Sequence, residues 1–146
     1  MQSLKKFLNT KGYIRVPLTL TKTNHLEMLA KINDIEGRFI LDTGASSTCI
    51  GLDSIDHFNL STQESEIKAS GAGASNMLTH ISKRNSIVIS KWSRKKIKIV
   101  LFDLTHVNNA LTRHEALPVH GIIGADILKK SKAIIDYQKR ALFLKI

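Results

Sequence analysis

The chain has 146 residues, a formal net charge of +10 and 42% hydrophobic residues. This length suits one domain but not two, and a single cysteine, Cys49, excludes a disulfide within the chain and is more typical of a core residue than of a nucleophile. No window of about 18 apolar residues is present to span a membrane, and residues 1–10 lack the apolar run of a secretory signal. We therefore expect a cytoplasmic protein without a transmembrane segment.

The chain begins with residues that do not continue into the first strand pattern. We treat residues 1–12 as an N-terminal extension and residues 13–146 as a single domain. Residues 13–21 alternate apolar and polar side chains, which predicts a strand, and Pro17 favours the edge of a sheet because proline cannot donate to the ladder.

A hairpin is predicted next. Residues 26–32 and 38–41 are its arms, with a polar turn at 33–37 that contains glycine. The second arm ends directly at Asp42, and residues 52–60 are typical of a helical turn or two.

The most informative stretch is residues 39–46, which read Phe-Ile-Leu-Asp-Thr-Gly-Ala-Ser. A carboxylate behind three large apolar residues is costly to bury unless it is hydrogen-bonded, neutralised or catalytic. Gly44 gives the backbone the freedom for a tight loop, and the hydroxyl groups of Thr43 and Ser46 can bond to amides of that loop. We therefore expect Asp42 at the floor of a cleft.

The middle of the chain combines small residues with a basic segment. Residues 66–80 carry the small residues Ser-Gly-Ala-Gly-Ala-Ser at 70–75, and residues 87–89 and 97–101 predict two strands on either side of a basic turn around Ser93 and Arg94. Residues 107–120 show no periodicity and predict a loop. Three histidines in or beside this loop are expected to be solvated rather than to bind a metal: His106, His114 and His120.

The positive charge raises the question of a nucleic-acid partner. Five cations surround Trp92, at Lys91, Arg94, Lys95, Lys96 and Lys98, and a second group follows at Lys129, Lys130 and Lys132. Lysine alternates with isoleucine over residues 96–99, as in a strand whose lysines lie in water, and aromatic residues that would stack on bases are few. The sequence therefore disfavours nucleic-acid binding.

A second motif covers residues 121–128, Gly-Ile-Ile-Gly-Ala-Asp-Ile-Leu. Ile122, Ile123 and Gly124 suit a short buried strand under close backbone contact, and residues 125–131 predict a helix with Asp126 in its first turn and lysines in its last. Residues 133–137 and 141–146 then predict a hairpin turning at 138–140. Many short strands with one helix indicate a mostly-β, barrel-like domain.

Together, the two motifs resemble the retropepsin-like branch of the aspartic proteases. The Asp-Thr-Gly-Ala at 42–45 is similar to their active-site loop, and Ile122, Ile123 and Gly124 are similar to the apolar-apolar-Gly segment packed beneath it. The resemblance covers most of residues 13–146 and implies a closed β-barrel of the acid-protease fold with one short C-terminal helix. The hairpin after that helix departs from retroviral enzymes and is closer to bacterial retropepsin-like proteins and the protease-like domain of DNA-damage-inducible proteins.

The resemblance implies an aspartic endopeptidase whose dyad takes Asp42 from each chain of a homodimer, because only one Asp-Thr-Gly is present. Thr43 would bond across the two-fold axis to the partner loop near Leu41, the Gly44 carbonyl would accept from the substrate backbone, and Ala45 would support the loop. A flap that closes over an extended peptide is expected at Ala69, Ser70, Gly71, Ala72 and Gly73. No metal or cofactor is required.

Two other functions remain open. A protein with the protease fold can bind a peptide or another partner without cutting it, and the basic surface leaves a nucleic-acid-associated protein as a weaker alternative. The intact Asp42, Thr43 and Gly44 favour the enzyme. The histidines lack a His-Glu-x-x-His pattern, and the single cysteine excludes a zinc site made of cysteines.

Overall fold

The structure, a computed structural model, describes residues 2–69 and 77–146. Within these residues there are three α-helices, which are α1 (Leu4–Thr10), α2 (Thr105–Arg113) and α3 (Ala125–Lys130), and a 3-10 turn at Leu52–Ser54. The described strands are β1 (Tyr13–Pro17), β2 (Thr19–Leu20), β3 (Leu26–Ile32), β4 (Ile35–Leu41), β5 (Cys49–Gly51), β6 (Gln63–Ala69), β7 (Met77–Ile89), β8 (Trp92–Phe102), β9 (Gly121–Ile123), β10 (Ile134–Asp136) and β11 (Ala141–Lys145). Among the described residues, no helix has the length and apolar character needed to cross a membrane.

Six of the strands close into a barrel. The sheet order β2-β3-β4-β9-β5-β8-β7-β6 returns on itself because β3 also pairs with β7, at Lys31 opposite Val88 and Ile32 opposite Ile87. Closure leaves β3, β4, β9, β5, β8 and β7 in the ring and removes their open edges. The mostly-β barrel expected from the sequence is therefore confirmed.

Two parallel pairs within the barrel determine where its loops meet. β4 runs parallel to β9, with Leu41 opposite Ile123, and β5 runs parallel to β8. β5 in turn pairs antiparallel with β9 through Cys49 and Ile122. Because parallel strands end at the same edge of a sheet, the residues after β4 and the residues after β9 meet at one end of the barrel.

The core occupies both the inside of the barrel and one patch of its outside. Alternate strand residues point inward, and the fully buried interior includes Phe39, Ile50, Phe58, Trp92, Ile99 and Ile123. The intervening residues of β4 and β9, Ile40 and Ile122, form a second apolar cluster with Leu111 of α2. Both faces of β4 and β9 are therefore buried. This burial explains why the residues before Asp42 and Gly124 are continuously apolar and do not alternate with polar ones.

A separate three-stranded sheet joins the two ends of the described domain. Its order is β1-β11-β10, with Tyr13 opposite Lys145 and Ile134 opposite Phe143. Helix α1, within the predicted N-terminal extension, begins with a cap in which the Ser3 hydroxyl accepts the Lys6 amide at 3.2 Å. The helix buries Leu8 against β11.

Three predicted elements were wrong in part. Residues 13–21 form two strands rather than one, because Leu18 leaves the ladder and donates its amide to the Arg140 carbonyl at 2.9 Å. The chain reverses at Ser90 and Lys91, not around Ser93 and Arg94, because Trp92 is buried opposite Ile89 inside the hairpin. Residues 105–113 form a helix, although the sequence predicts a loop over residues 107–120.

Helix α2 lies in the segment that the sequence predicts as a loop. Its start is fixed by the Asp103 carboxylate, which accepts the Thr105 amide at 2.9 Å and the Thr105 hydroxyl at 2.6 Å. These bonds hold the pKa of Asp103 below its usual value. Because Leu111 is the only fully buried residue of this polar helix, the apolar signal in its sequence is too weak to reveal it.

Candidate active site

Strand β4 delivers Asp42 to the end of the barrel. Leu41 is the last buried residue of the strand, and the Asp42 amide continues the ladder by donating to the Ile123 carbonyl at 3.0 Å. The Asp42 side chain is half-buried, whereas Thr43 and Gly44 are exposed. The carboxylate therefore lies at the boundary between the apolar core and the surface.

The loop that follows fixes the orientation of the carboxylate. The Gly44 amide donates to Oδ1 of Asp42 at 2.8 Å, and the Ala45 amide donates to the Asp42 carbonyl at 3.2 Å. Because Oδ1 is already bonded, it is held in place, and within the described residues Oδ2 has no hydrogen-bond partner. One carboxylate oxygen thus remains available to a water molecule or a substrate.

Gly124 allows the segment after β9 to pack directly under this loop. A Cβ atom at this position would lie 2.7 Å from the Ala45 carbonyl oxygen and 2.8 Å from the Ser47 carbonyl oxygen, both of them backbone atoms. The close contact is completed by the Ala125 amide, which donates to the Ala45 carbonyl at 2.7 Å. The segment Ile122, Ile123 and Gly124 thus forms the base on which the loop rests.

Two residues that the sequence analysis did not assign to the site tie the loop to α3. The buried Thr48 hydroxyl donates to Oδ1 of Asp126 at 2.8 Å and accepts the Gly124 amide at 3.0 Å. The same Oδ1 also accepts the amides of Thr48 and Ile127. The sequence explained Asp126 as an acid in the first turn of a helix, which is correct but incomplete.

Cys49 has the environment of an unreactive thiol. Its Sγ donates to the Ser47 carbonyl at 3.2 Å. Burial, followed by the nearby carboxylates of Asp126 and Asp42, raises the pKa of the Cys49 thiol to about 12. Because the thiolate is the nucleophilic form, this thiol is not poised for nucleophilic attack.

A small cavity of about 300 Å³ lies beside the loop. Thr43 lines it together with residues of α3 and of the segment that follows, among them Leu128, Lys132 and Ala133. Apart from the side chains of Lys129 and Lys132, which are cationic, these walls are short or apolar.

The predicted flap falls mainly on residues outside the described part of the chain. Ala69 is the last residue of β6 and pairs with Met77 at the start of β7. Ser70, Gly71, Ala72 and Gly73 lie outside the described residues, so their assignment stays a prediction.

The histidines divide into two environments. His106 and His114 are exposed, as expected. His120 is only partly exposed: its Nδ1 accepts the Arg38 amide at 3.0 Å, and its ring stacks on that of His57 with centroids 4.6 Å apart. Burial, then His57 and Arg38, lowers its pKa. Within the described residues, no group of three His, Cys, Asp or Glu side chains is arranged to hold a metal ion.

The basic segment lies on β8, away from the Asp42 loop. The Arg94 guanidinium lies over the Trp92 ring, 4.8 Å from its centroid, and Lys95, Lys96 and Lys98 are exposed. Exposed strand lysines agree with the solvated surface that the sequence predicts. That the chain does not bind nucleic acid stays a prediction.

The comparisons with known proteins agree with this arrangement. The chain is similar over 91% of its length to a retropepsin-like aspartic protease from Rickettsia conorii, with a TM-score of 0.61, 21% identity and 88% of that chain covered. It is also similar over 81% of its length to the EIAV protease complexed with the inhibitor HBY-793, with a TM-score of 0.59, 19% identity and 98% of that chain covered. These likenesses show the fold.

No curated protein sequence matches the chain significantly. The family model described as aspartyl protease matches residues 28–127, which include both Asp42 and the segment beneath its loop. The chain therefore belongs to the aspartyl protease family, and its fold is retropepsin-like.

Proposed function

We propose that the protein is an aspartic endopeptidase that hydrolyses extended peptides with an activated water, using Asp42 from each of two chains. The observation that carries this proposal is the state of the Asp42 carboxylate. One of its oxygens is held by the Gly44 amide at 2.8 Å, and the group lies half-buried at the end of a core strand. Such a carboxylate has a fixed orientation and is still accessible to water and substrate, as a catalytic acid or base must be.

The mechanism follows from two such carboxylates placed close together. Like charges about 3 Å apart do not both ionise readily, so the two carboxylates share one proton in the active form. The ionised Asp42 takes a proton from water as that water attacks the peptide carbonyl carbon. The protonated Asp42 donates a hydrogen bond to the carbonyl oxygen and stabilises the charge that develops on it.

The second carboxylate comes from a second copy of the chain, because the sequence contains a single Asp-Thr-Gly. Support comes from the surface beside the loop: Thr43 is exposed, and its neighbours in the cavity of about 300 Å³ include Leu128 and Ala133. The strand β10, which comes directly after Ala133 in the chain, lies at the edge of the described three-stranded sheet. An edge strand presents backbone groups that can pair with another chain. We propose that Thr43 bonds to the partner loop near Leu41.

Substrate binding is proposed on the open side of the loop. The Gly44 carbonyl would accept a backbone amide of an extended peptide, and the predicted flap at 69–73 would close over it. Ala45 would hold the loop in place through its bond to Ala125.

Asp42→Asn tests the chemistry. Asparagine keeps the acceptor for the Gly44 amide but removes the titrating group, so cleavage of a peptide library should disappear while circular dichroism is unchanged. Asp53→Asn, at an exposed position on the 3-10 turn, is the matched control and should retain full activity. Full activity of Asp42→Asn excludes the mechanism. If the wild type cleaves nothing but binds extended peptides, the protein is a silent binding module.

Dilution tests the shared site. Each chain supplies half of the dyad, so specific activity should fall as the protein concentration approaches the dissociation constant of the dimer. Light scattering on the same samples should show the mass fall in parallel. Constant specific activity at monomeric mass contradicts a dyad shared between chains.

A further inference from the structure

A cavity of about 360 Å³ lies between helix α1 and the body of the domain. Its walls come mainly from α1, from strand β1 and from the turn between β7 and β8, and each of these elements contributes at least one cation. The four cations are Lys5, Lys6, Arg15 and Lys91. Among the described residues, no acid and no residue of the 42–48 loop lines the cavity. This cavity, the cationic cleft, is therefore separate from the proposed catalytic site.

The packing of the domain fixes the directions from which the cations approach. Alternate residues of a strand point to opposite faces. Val16 of β1 packs in the barrel core, so Arg15 faces the other side, where Leu8 of α1 is buried. Lys91 belongs to the two-residue turn that joins β7 to β8. Because Leu8 is the one buried residue of the seven-residue helix, α1 is held to the body by little apolar contact.

The rest of the described structure does not neutralise these cations. All four side chains are exposed, and the one ion pair among the described residues joins Lys22 to Glu115. The Arg15 guanidinium donates to the Lys139 carbonyl at a long 3.4 Å, which leaves its charge unbalanced. Like charges that converge without an acid between them repel one another and weaken the contact of α1 with the body. An anion in the cleft would remove this repulsion.

An adjoining cavity does not supply the missing charge. It has a volume of about 540 Å³ and shares Lys5 and Arg15 with the cationic cleft. Among the described residues it adds one acid, Asp136, and one further cation, Lys139, so it adds no net charge. The Asp136 carboxylate accepts the Lys139 amide at 3.1 Å. The cations of the cleft are thus left to solvent or to a ligand.

Four cations in so small a space favour a compact ligand with several negative charges. A phosphate group carries about −1.5 to −2 charges on three acceptor oxygens, whereas a carboxylate carries one charge on two oxygens. Side chains on one face of an extended acidic peptide are about 6.6 Å apart, so such a peptide places fewer charges in the cleft. Arginine binds phosphate oxygens in a bidentate manner, and lysine binds them as a point charge. A linear chain of two or three phosphates therefore fits best.

We propose that the cationic cleft binds a linear phosphate chain, either as a free ion or as part of a nucleotide. The bound anion bridges Lys5 and Lys6 of α1 to Arg15 and Lys91 of the body, and so clamps the helix onto the β1-β11-β10 sheet. The site does not depend on the proposed function, because none of its described residues belongs to the Asp42 loop.

The test is an isothermal titration of the full chain with sodium triphosphate at pH 7.5 and constant ionic strength. One ion should bind per chain, with amide NMR shifts at Lys5, Lys6, Ser90 and Lys91. Citrate and N-acetyl-tetraglutamate amide are the comparison anions, because their charges are carried by carboxylates. If either binds as tightly as triphosphate, or if triphosphate binding does not saturate, the proposal is overturned.

ATP without magnesium distinguishes the two sources of the phosphate chain. Equal or weaker binding of ATP than of triphosphate assigns the cleft to the free ion. Tighter binding of ATP assigns it to a nucleotide.

Lys91→Gln tests the cleft itself. The substitution removes one cation from an exposed turn and should weaken triphosphate binding about five- to tenfold. Lys98→Gln is the matched control, since Lys98 is exposed on β8, about 20 Å further along the strand and outside the walls of the cleft. The control should change the affinity less than twofold. Lys5→Gln, on exposed α1, is a second variant with the same expected loss, and unchanged affinity in both cleft variants contradicts the proposal.

Hydrogen exchange tests the clamp. Saturating triphosphate should slow exchange of the α1 amides several-fold, Leu8 included, because the bridged helix opens less often. The same concentration of citrate should have a smaller effect. Exchange in α1 that triphosphate leaves unchanged would refute the bridging role.

Discussion

Thr48→Val should destabilise the protein far more than its change of one atom suggests. Valine has nearly the shape of threonine but lacks the hydroxyl that donates to Asp126 at 2.8 Å and accepts the Gly124 amide at 3.0 Å. A hydrogen bond to a charged group contributes about 1.5–3 kcal/mol, and a buried amide left without an acceptor costs about 1–3 kcal/mol. Since Thr48 is fully buried, water cannot replace the hydroxyl. We expect a loss of about 2.5–6 kcal/mol in the free energy of unfolding.

Thr48→Ser is the control, because serine keeps the hydroxyl and loses only a methyl group, at a cost of about 1 kcal/mol. The single tryptophan, Trp92, is buried in the core, so its fluorescence reports urea unfolding of both variants. Peptidase activity should also fall more in the valine variant, because the loop that carries Asp42 loses its tie to α3. If the two variants unfold within about 0.5 kcal/mol of each other, the hydroxyl does not hold the loop.

Three further outcomes are expected. Gly124→Ala should lower the free energy of unfolding by about 1–3 kcal/mol, because the added Cβ meets backbone atoms. Gly51→Ala is the control and should cost less, because its Cβ has no neighbour closer than 3.4 Å. Equal urea midpoints of the two variants would contradict this reasoning. Burial lowers the pKa of His120, so the unfolded chain binds that proton more tightly and stability falls as the pH drops below about 6.5. His120→Asn keeps an acceptor for the Arg38 amide and should lose less stability between pH 7 and pH 5 than the wild type in urea unfolding. Cys49 should resist iodoacetamide at pH 8 in the folded protein and react once urea unfolds it, as mass spectrometry can show; rapid labelling of the folded protein would refute its raised pKa.

The sequence predicted the parts of the site that carry a strong local pattern. A short apolar run ending in Asp42 and a second one ending in Gly124 indicate buried strands that end in loops, and this signal is local to each segment. Their pairing is not local: the parallel alignment of β4 with β9 joins residues about 80 positions apart, and here the family resemblance supplied what periodicity cannot.

The parts that were missed had different physical causes. Asp126 already had a sufficient local explanation at the start of a helix, so nothing in the pattern pointed to Thr48 as a partner. Helix α2 is too polar to show its one buried face, although Asp103 two residues before Thr105 was a visible start signal. The cations of the cationic cleft come from three separate elements, and only the packed structure brings them together.

The alignment of β4 with β9 also bears on when the protein can become active during its synthesis. The Asp42 amide is held by the Ile123 carbonyl, so the loop lacks its base until the ribosome has added about 80 more residues, which takes roughly 4–16 s at common rates of translation. A nascent chain therefore carries Asp42, the proposed catalytic residue, for several seconds without the strand that positions it. The order of the strands thus delays assembly of the proposed catalytic loop until most of the chain has been made.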